Sequence, residues 1–268
     1  MEEILILRKL KKGGQKDVYL IEHPEIGICV KKIGKCMHKA SLDRIKREVS
    51  LLKDIDSPYF PKILDANFDE DGSFMILEEY IESKSLNDIM PNYRANENEV
   101  VRLALKIIEG LKILWDMKVV HRDLKPDNIL IKFNGEPVII DLGIARILDE
   151  QSLTLTIQQN GPCTLIYAAP EQIKNNKLSI NHRADFYSLG VIIAELILGK
   201  HPFSPEVTNV GLGIVDNVLN GIYGLEYDGI RLSDRLNYII VTLLNPEPYR
   251  RFKTYQMFEE ELKKVLEG

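Results

Sequence analysis

The sequence predicts an α+β protein in two parts, a small antiparallel sheet with one helix followed by a larger, mainly helical part. Two observations support this fold class. In the first third of the chain, short β-branched segments alternate with turn residues. After Ser83 the apolar residues recur with helical spacing instead. The change of pattern places a boundary near residue 82 and divides the chain into segments 1–81 and 82–268.

The first segment contains strands interrupted by one helix. Glycine and proline turns, such as Gly13-Gly14, separate its early strand-length stretches in the manner of a meander. Ser57-Pro58 ends the helical pattern that follows. The predicted elements are three strands within 4–33, a helix over 41–55, and strands over 63–68 and 74–81.

The second segment has long stretches in which apolar residues lie three or four positions apart, the spacing of a helix with one buried face. A short apolar strand, 137–140, is the exception. The predicted helices cover 97–117, 184–198, 236–244 and 254–266.

Composition excludes several classes of protein. Of 268 residues, 45% are hydrophobic and 28% charged, and the formal net charge is −5, values that favour a folded chain and disfavour binding to nucleic acid or a membrane surface. Three cysteines without CxxC spacing predict neither disulfides nor a zinc site and fit a reducing compartment. No signal peptide or membrane anchor is recognisable, so a cytoplasmic location is expected.

Two motifs carry the chemistry. Residues 121–128 are His-Arg-Asp-Leu-Lys-Pro-Asp-Asn, and Asp141-Leu-Gly begins thirteen positions after Asn128. In this order and spacing they resemble the catalytic loop and metal-binding motif of the eukaryotic-type (Hanks-type) Ser/Thr protein kinase family. The resemblance extends over essentially the whole chain. It implies one bilobal kinase domain with ATP between a small β-rich lobe and a larger helical lobe, and it is closest in character to stand-alone bacterial members.

The resemblance also implies roles for these residues. Asp123 is expected to orient the acceptor hydroxyl and take its proton, and Lys125 to contact the transferring phosphate, which favours Ser or Thr as acceptor. Asn128 and Asp141 are expected to hold Mg²⁺, with Mn²⁺ as the other candidate. The alternative is that these are solvated loop residues or helix caps, which their joint spacing opposes.

A lysine on the third strand is expected to contact the α and β phosphates of ATP. Ile28-Cys-Val-Lys31 matches the family pattern, and Glu48 on the first helix is the expected partner of Lys31. Alternation puts Cys29 and Lys31 on one face and Lys32 on the other, so Lys32 is expected to be solvated. A register shifted by one residue remains the alternative.

The phosphate-covering loop departs most from the family pattern. With Val18 aligned, Lys11, Gly13 and Lys16 stand at the three glycine positions, and Gly14 follows the retained glycine. Glu78 takes the gatekeeper position at the back of the nucleotide pocket, where its carboxylate either narrows the pocket or turns toward a cation or solvent. The remaining residues expected around adenine are Leu10, Val18, Cys29 and Leu130 as apolar walls and Glu79 and Ile81 as backbone contacts.

Further positions match the segment that docks substrate. Thr164 is expected near Asp123, Glu171 is expected to pair with Arg251, and Asp185 is expected to bind the backbone of the catalytic loop. Thr154 and Thr156 form a hydroxyl cluster whose phosphorylation, recognised by Arg122, would order the loop. The alternative for this cluster is a run of solvated threonines.

The sequence therefore predicts a Ser/Thr protein kinase that transfers the γ-phosphoryl group of Mg-ATP to protein hydroxyls, with autophosphorylation of its own loop. A nucleotide-binding pseudokinase scaffold is the second hypothesis, because two loop glycines are missing. A small-molecule kinase is the third, although such enzymes usually lack the Arg-Asp-Leu-Lys run seen at 122–125.

Overall fold

A computed structural model describes residues 4–12, 16–141 and 165–267. Its N-terminal part is a five-stranded antiparallel sheet with strand order β1-β2-β3-β5-β4. A single helix, α1, follows the third strand. The bounds are β1 Leu5–Lys12, β2 Lys16–His23, β3 Gly27–Lys35, α1 Lys39–Lys53, β4 Ile63–Phe68 and β5 Ser73–Glu79. These elements agree with the prediction to within a few residues.

The two faces of this sheet have different neighbours. Leu42 and Val49 of α1 pack against Phe74 and Ile76 of β5, so the helix covers the face that carries those two residues. The opposite face has its own small buried cluster, Ile21, Cys29 and Leu77. Both faces are thus partly apolar, so the apolar pattern alone does not distinguish one face of β3 from the other.

The C-terminal part is mainly helical, as predicted. Its small strands form a three-stranded sheet, β6-β7-β8, and a two-stranded hairpin, β9-β10. The strands are β6 Ser83–Ser85, β7 Ile129–Lys132, β8 Pro137–Ile139, β9 Glu226–Tyr227 and β10 Ile230–Arg231. The helices are α2 Leu86–Ile89, α3 Glu97–Asp116, α4 Pro170–Ile173, α5 Arg183–Leu198, α6 Pro205–Thr208, α7 Ile214–Asn220, α8 Asp234–Leu243 and α9 Tyr255–Glu267.

The main core surrounds α5, whose side chains are buried almost all round the helix. Gly190 lets α5 approach α8 closely, because a Cβ at this position would lie 2.7 Å from Cβ of Leu243. The last turn ends at Gly199, whose φ of 72° is the left-handed conformation that glycine adopts without strain. α5 is therefore a rigid, central element, and the catalytic loop is attached to it. Within the ranges described, no helix has the length and apolarity needed to span a membrane.

Candidate active site

The loop between α3 and β7 is fixed by one buried carboxylate at the start of α5. Asp185 accepts hydrogen bonds from the backbone N–H of His121 and of Arg122, both at 2.9 Å, and from Nε1 of Trp115, also at 2.9 Å. Arg122 has a φ of 68°, an uncommon conformation for a residue with a side chain. The predicted contact between Asp185 and this loop is thus present, and it holds a strained backbone turn next to Asp123.

Asp123 is held by its own loop. Nδ2 of Asn128 donates to Oδ2 of Asp123 at 3.0 Å and to its backbone oxygen at 2.9 Å. Nζ of Lys125 lies 3.2 Å from the same Oδ2. These contacts orient the carboxylate. It is still accessible, because 13% of the Asp123 side chain is exposed. A carboxylate in this setting can accept a proton from a hydroxyl placed beside it.

Asp141 lies where the N-terminal sheet meets this loop. Its Oδ1 accepts from Nζ of Lys16 at 2.8 Å and from Nζ of Lys32 at 2.9 Å. Burial alone would raise the pKa of the Asp141 carboxyl, but the two ammonium groups outweigh burial and hold that pKa well below its usual range. Asp141 also has a left-handed φ of 58°, so its backbone is strained at the site. The carboxylate is therefore ionised and ready to bind cations.

The prediction that Lys31 points into the site is wrong, and the same correction applies to Cys29. Lys31 lies opposite Tyr19 and Leu77, and Cys29 belongs to the buried cluster on the face away from α1. Lys32, expected to be solvated, is instead buried at 7% exposure and contacts Asp141. The one-residue register that the sequence left as the alternative is the one the chain adopts.

The physical reason is that both faces of β3 are covered. Alternation correctly separated Lys31 from Lys32, but it could not tell which face α1 and Asp141 would cover. Cross-strand pairing decides this point: Lys32 lies opposite Val18 and Ile76, and Ile76 packs on α1. Val30, two residues before Lys32, shares the face of Lys32, whereas Cys29 lies on the opposite face.

Lys32 also has a different carboxylate partner from the one expected. Its Nζ lies 2.7 Å from Oε2 of Glu78, and among the described residues Glu48 forms no ion pair with it. Burial raises the pKa of Glu48 to about 7, against the opposing effect of Lys16 and Lys32. Of the two possibilities left open for Glu78, the carboxylate turns toward an internal cation.

The described residues that were expected around adenine differ in their exposure and in their backbone contacts. Val18 is buried on the Lys32 face of the sheet, and Leu130 is half-buried on β7. Leu10 is 39% exposed on β1. The N–H of Glu79 is bound to the backbone oxygen of Lys62 at 2.9 Å, whereas no described residue accepts from the N–H of Ile81. The remaining predictions for the phosphate loop and the regulatory segment concern residues outside the described ranges: Gly13, Gly14, Thr154, Thr156 and Thr164.

The predicted pair Glu171–Arg251 is present and is among the best-buried ion pairs described. Nη1 and Nη2 of Arg251 bind Oε1 and Oε2 of Glu171 at 2.7 and 2.8 Å, with side-chain exposures of 0% and 4%. Sequence reasoning missed the neighbouring Gln172, whose Nε2 donates to the backbone oxygen of Arg122 at 2.8 Å. This bond links the start of α4 to the catalytic loop.

The residues predicted to bind metal have suitable chemistry for Mg²⁺. The amide nitrogen of Asn128 donates to Asp123, so its amide oxygen is a potential ligand. Asp141 supplies an ionised carboxylate. The backbone N–H of Ile140 donates to the backbone oxygen of Asn128 at 2.9 Å, so the two segments are adjacent. In the described ranges no cluster of three or more His, Cys, Asp or Glu residues is found that could hold a metal ion. Mg²⁺ usually takes one or two carboxylates from the protein and its other ligands from water and substrate phosphates.

Comparison with known families agrees with this geometry. The family described as protein kinase domain matches residues 5–262. The chain belongs to the protein kinase domain family. Proteins of this family generally use ATP and Mg²⁺, and the α+β fold with an antiparallel N-terminal sheet and a helical C-terminal part is the one predicted.

Curated relatives carry kinase names. The chain is 32% identical over 77% of its length to protein kinase wis1 of Schizosaccharomyces pombe, and 31% identical over 74% to serine/threonine-protein kinase pkn2 of Myxococcus xanthus. It is 27% identical over 98% of its length to serine/threonine-protein kinase PrkC of Bacillus subtilis. The alignments cover 34%, 24% and 40% of those proteins, so the chain spans less than half the length of each relative.

Proposed function

We propose that this kinase domain transfers the γ-phosphoryl group of ATP, bound with Mg²⁺, to Ser or Thr hydroxyls of proteins. The observation that carries the proposal is the arrangement around Asp123. Its carboxylate lies within hydrogen-bond distance of Lys125 and Asn128, on a loop tied to α5 by Asp185. The serine/threonine names of several relatives support the choice of acceptor.

In this proposal each residue has one task. Asp123 orients the acceptor hydroxyl and takes its proton as the oxygen attacks the γ-phosphorus, while the bond to the β-phosphate oxygen breaks and ADP leaves. Lys125 and Lys32 neutralise phosphate charge that is redistributed in the transition state. Asn128 and Asp141 would hold Mg²⁺, which supplies further charge neutralisation when bound.

The decisive experiment is transfer of labelled phosphate from γ-labelled ATP to a generic Ser/Thr protein substrate and, in parallel, to small-molecule acceptors. We expect transfer to protein and its loss in Asp123→Asn, which keeps the hydrogen-bonding shape and removes the base. Transfer to metabolites instead of protein would favour a small-molecule kinase. If neither wild type nor Asp123→Asn transferred phosphate, the proposal would be contradicted.

A nucleotide-binding scaffold remains the second candidate because Asp141 is already occupied by two lysines. Lys16, which stands at a family glycine position, and Lys32 both bind Oδ1 of Asp141. Mg-ATP must compete with those contacts. A wild-type chain that binds ATP, measured by thermal shift, and yet transfers no phosphate would support the scaffold.

The proposed autophosphorylation of Thr154 or Thr156 has a separate test. Arg122 lies beside Asp123, and its buried Nε has no hydrogen-bond partner among the residues that the structure describes, so its guanidinium has capacity for a phosphate. Incubation with ATP followed by mass spectrometry should locate phosphate on residues 152–156 in wild type and none in Asp123→Asn. A phosphate-free loop in wild type would contradict the switch.

A further inference from the structure

We propose that Glu78, rather than Glu48, is the residue that positions Lys32 for the phosphates of ATP; this inference rests on the proposed function. Oε2 of Glu78 lies 2.7 Å from Nζ of Lys32, and the two side chains are 8% and 9% exposed. The pair is therefore shielded from solvent, where an ion pair is screened least and where loss of one partner is most costly.

Strand register explains why Glu78 can reach Lys32. Glu78 lies directly opposite Val30, and Lys32 follows Val30 by two residues on the same face. Diagonal neighbours of this kind are about 7–8 Å apart at the backbone, a gap that two long side chains can close. Because β3 and β5 are adjacent strands inside the five-stranded sheet, both ends of the pair lie on the same rigid element.

Glu48 lies on α1 and not on the sheet that carries Lys32 and Glu78. It belongs to α1, which contacts the sheet through apolar residues such as Val49. Any pairing with Lys32 would depend on how α1 sits against the sheet, and among the described residues no such ion pair is formed. The pair with Glu78, by contrast, requires no movement of the helix.

Asp141 cannot take over this task throughout the reaction. It is the second carboxylate bound to Lys32, at 2.9 Å, but it is also the proposed ligand of Mg²⁺. Once its oxygens bind a divalent cation, the attraction of Asp141 for the lysine is weakened. Glu78 is then the carboxylate that continues to hold the ammonium group of Lys32, so that the lysine enters the phosphate site already oriented.

The test is a double-mutant cycle on the whole 268-residue chain, with Glu78→Gln, Lys32→Met and the combined variant. The dissociation constant of the protein for ATP, in the presence of Mg²⁺, is measured by calorimetry. Where transfer is detectable, kcat and KM for ATP are measured as well. We expect Glu78→Gln to lower kcat/KM by about tenfold and weaken ATP binding, and Glu48→Gln to change kcat/KM by less than about threefold. In the Lys32→Met background, Glu78→Gln should change ATP affinity by less than about twofold.

Two further variants control for misfolding and for the loss of a glutamate elsewhere on the sheet. Glu78→Met replaces the carboxylate with an apolar side chain of similar length, and it serves if Glu78→Gln does not fold. Glu22→Gln, an exposed glutamate on β2, is the matched control and should behave as wild type. Thermal unfolding of every variant verifies that it is folded at the assay temperature.

Each result supports the inference or overturns it. An equal loss of ATP affinity from Glu78→Gln with and without Lys32 would show a general structural role and overturn it. So would a large effect of Glu48→Gln beside a neutral Glu78→Gln. A wild type that binds ATP without transferring phosphate would remove the proposed kinase activity, while a non-additive cycle on ATP affinity would still support Glu78 as the positioning residue. A wild type that binds no ATP would overturn both.

Discussion

Lys32 remains charged inside the protein because two carboxylates surround its ammonium group. Burial opposes the charged form, yet Asp141 and Glu78 together raise the pKa of Lys32 above its ordinary value. Lys31, one position earlier, faces the other side of the sheet, where it forms no ion pair with any residue that the structure describes. Neighbouring lysines in one strand thus have entirely different physical roles.

This difference gives a direct prediction. Lys32→Met should reduce kcat/KM for ATP by about a hundredfold, since a phosphate-binding cation is lost from a buried site. Lys31→Met, its matched control, should stay within about threefold of wild type. Initial rates at varied ATP concentration measure both. A damaging Lys31→Met beside a neutral Lys32→Met would contradict the register described above.

The pair Glu171–Arg251 supports stability at the residue scale. Arg251 also lies over the ring of Tyr187, 4.8 Å from its centroid, so its charge is enclosed on several sides. Arg251→Met should lower the free energy of unfolding by about 3–5 kcal/mol, because Glu171 would be left as an unpaired buried charge. Chemical denaturation measures this loss.

Lys263→Met is the control for that substitution. Lys263 pairs with Glu259 on the surface of α9, with 55% of its side chain exposed. Its removal should leave the free energy of unfolding nearly unchanged, since exposed ion pairs one helical turn apart contribute little. Equal losses from Lys263→Met and Arg251→Met would argue against the importance of burial.

At the scale of elements, α5 connects stability to the site. Its side chains form the centre of the core, and Asp185 in its first turn fixes the catalytic loop. Most of the helix is therefore under packing constraints, and small residues on it mark close approaches of other elements.

Gly190→Ala tests this packing. Helix propensity alone would favour alanine by up to about 1 kcal/mol, but the added methyl would meet Cβ of Leu243 at 2.7 Å. We expect a net loss of about 1–3 kcal/mol in the free energy of unfolding. Gly211→Ala, where a Cβ would meet nothing within 4 Å, should be close to neutral. A stabilising Gly190→Ala would show that α5 and α8 can separate without cost.

At the scale of the whole molecule, buried titratable groups make stability depend on pH. Burial lowers the pKa of His201 to about 4. Between about pH 6.5 and 4 the unfolded chain binds a proton at this residue and the folded chain does not, so stability falls as pH falls. His201→Leu should remove up to about 3 kcal/mol of this loss, measured as the difference from wild type in denaturation at pH 7 and pH 4.

Glu195 should make the stability depend on pH in the opposite direction to His201. Burial raises its pKa to about 7, against the effect of the hydrogen bond from Tyr167. As pH rises from about 4.5 to 7, the unfolded chain releases this proton before the folded chain does, so stability is lost with rising pH. Relative to wild type, Glu195→Gln should therefore gain stability over that interval in the same denaturation series. A Glu195→Gln variant whose difference from wild type is constant with pH would contradict the assignment.

The sequence by itself determined the order of the elements and the residues of the catalytic loop. Helices such as 97–116 and 183–198 follow from local spacing of apolar residues, and Asp123, Asn128 and Asp141 follow from motifs whose spacing is contained in short segments. These features depend on neighbours along the chain, so one sequence suffices to predict them.

The tertiary structure decided which lysine enters the site and which glutamate meets it. Alternation along β3 divides Lys31 from Lys32, but the choice of face depends on α1, on β5 and on Asp141, which is more than 100 positions away in the chain. Similarly, Glu78 meets Lys32 because of strand register, which local composition does not encode where both faces of the sheet are partly apolar. Contacts between distant segments are fixed by packing, and they became visible only when the sheet, the helix and the loop were brought together.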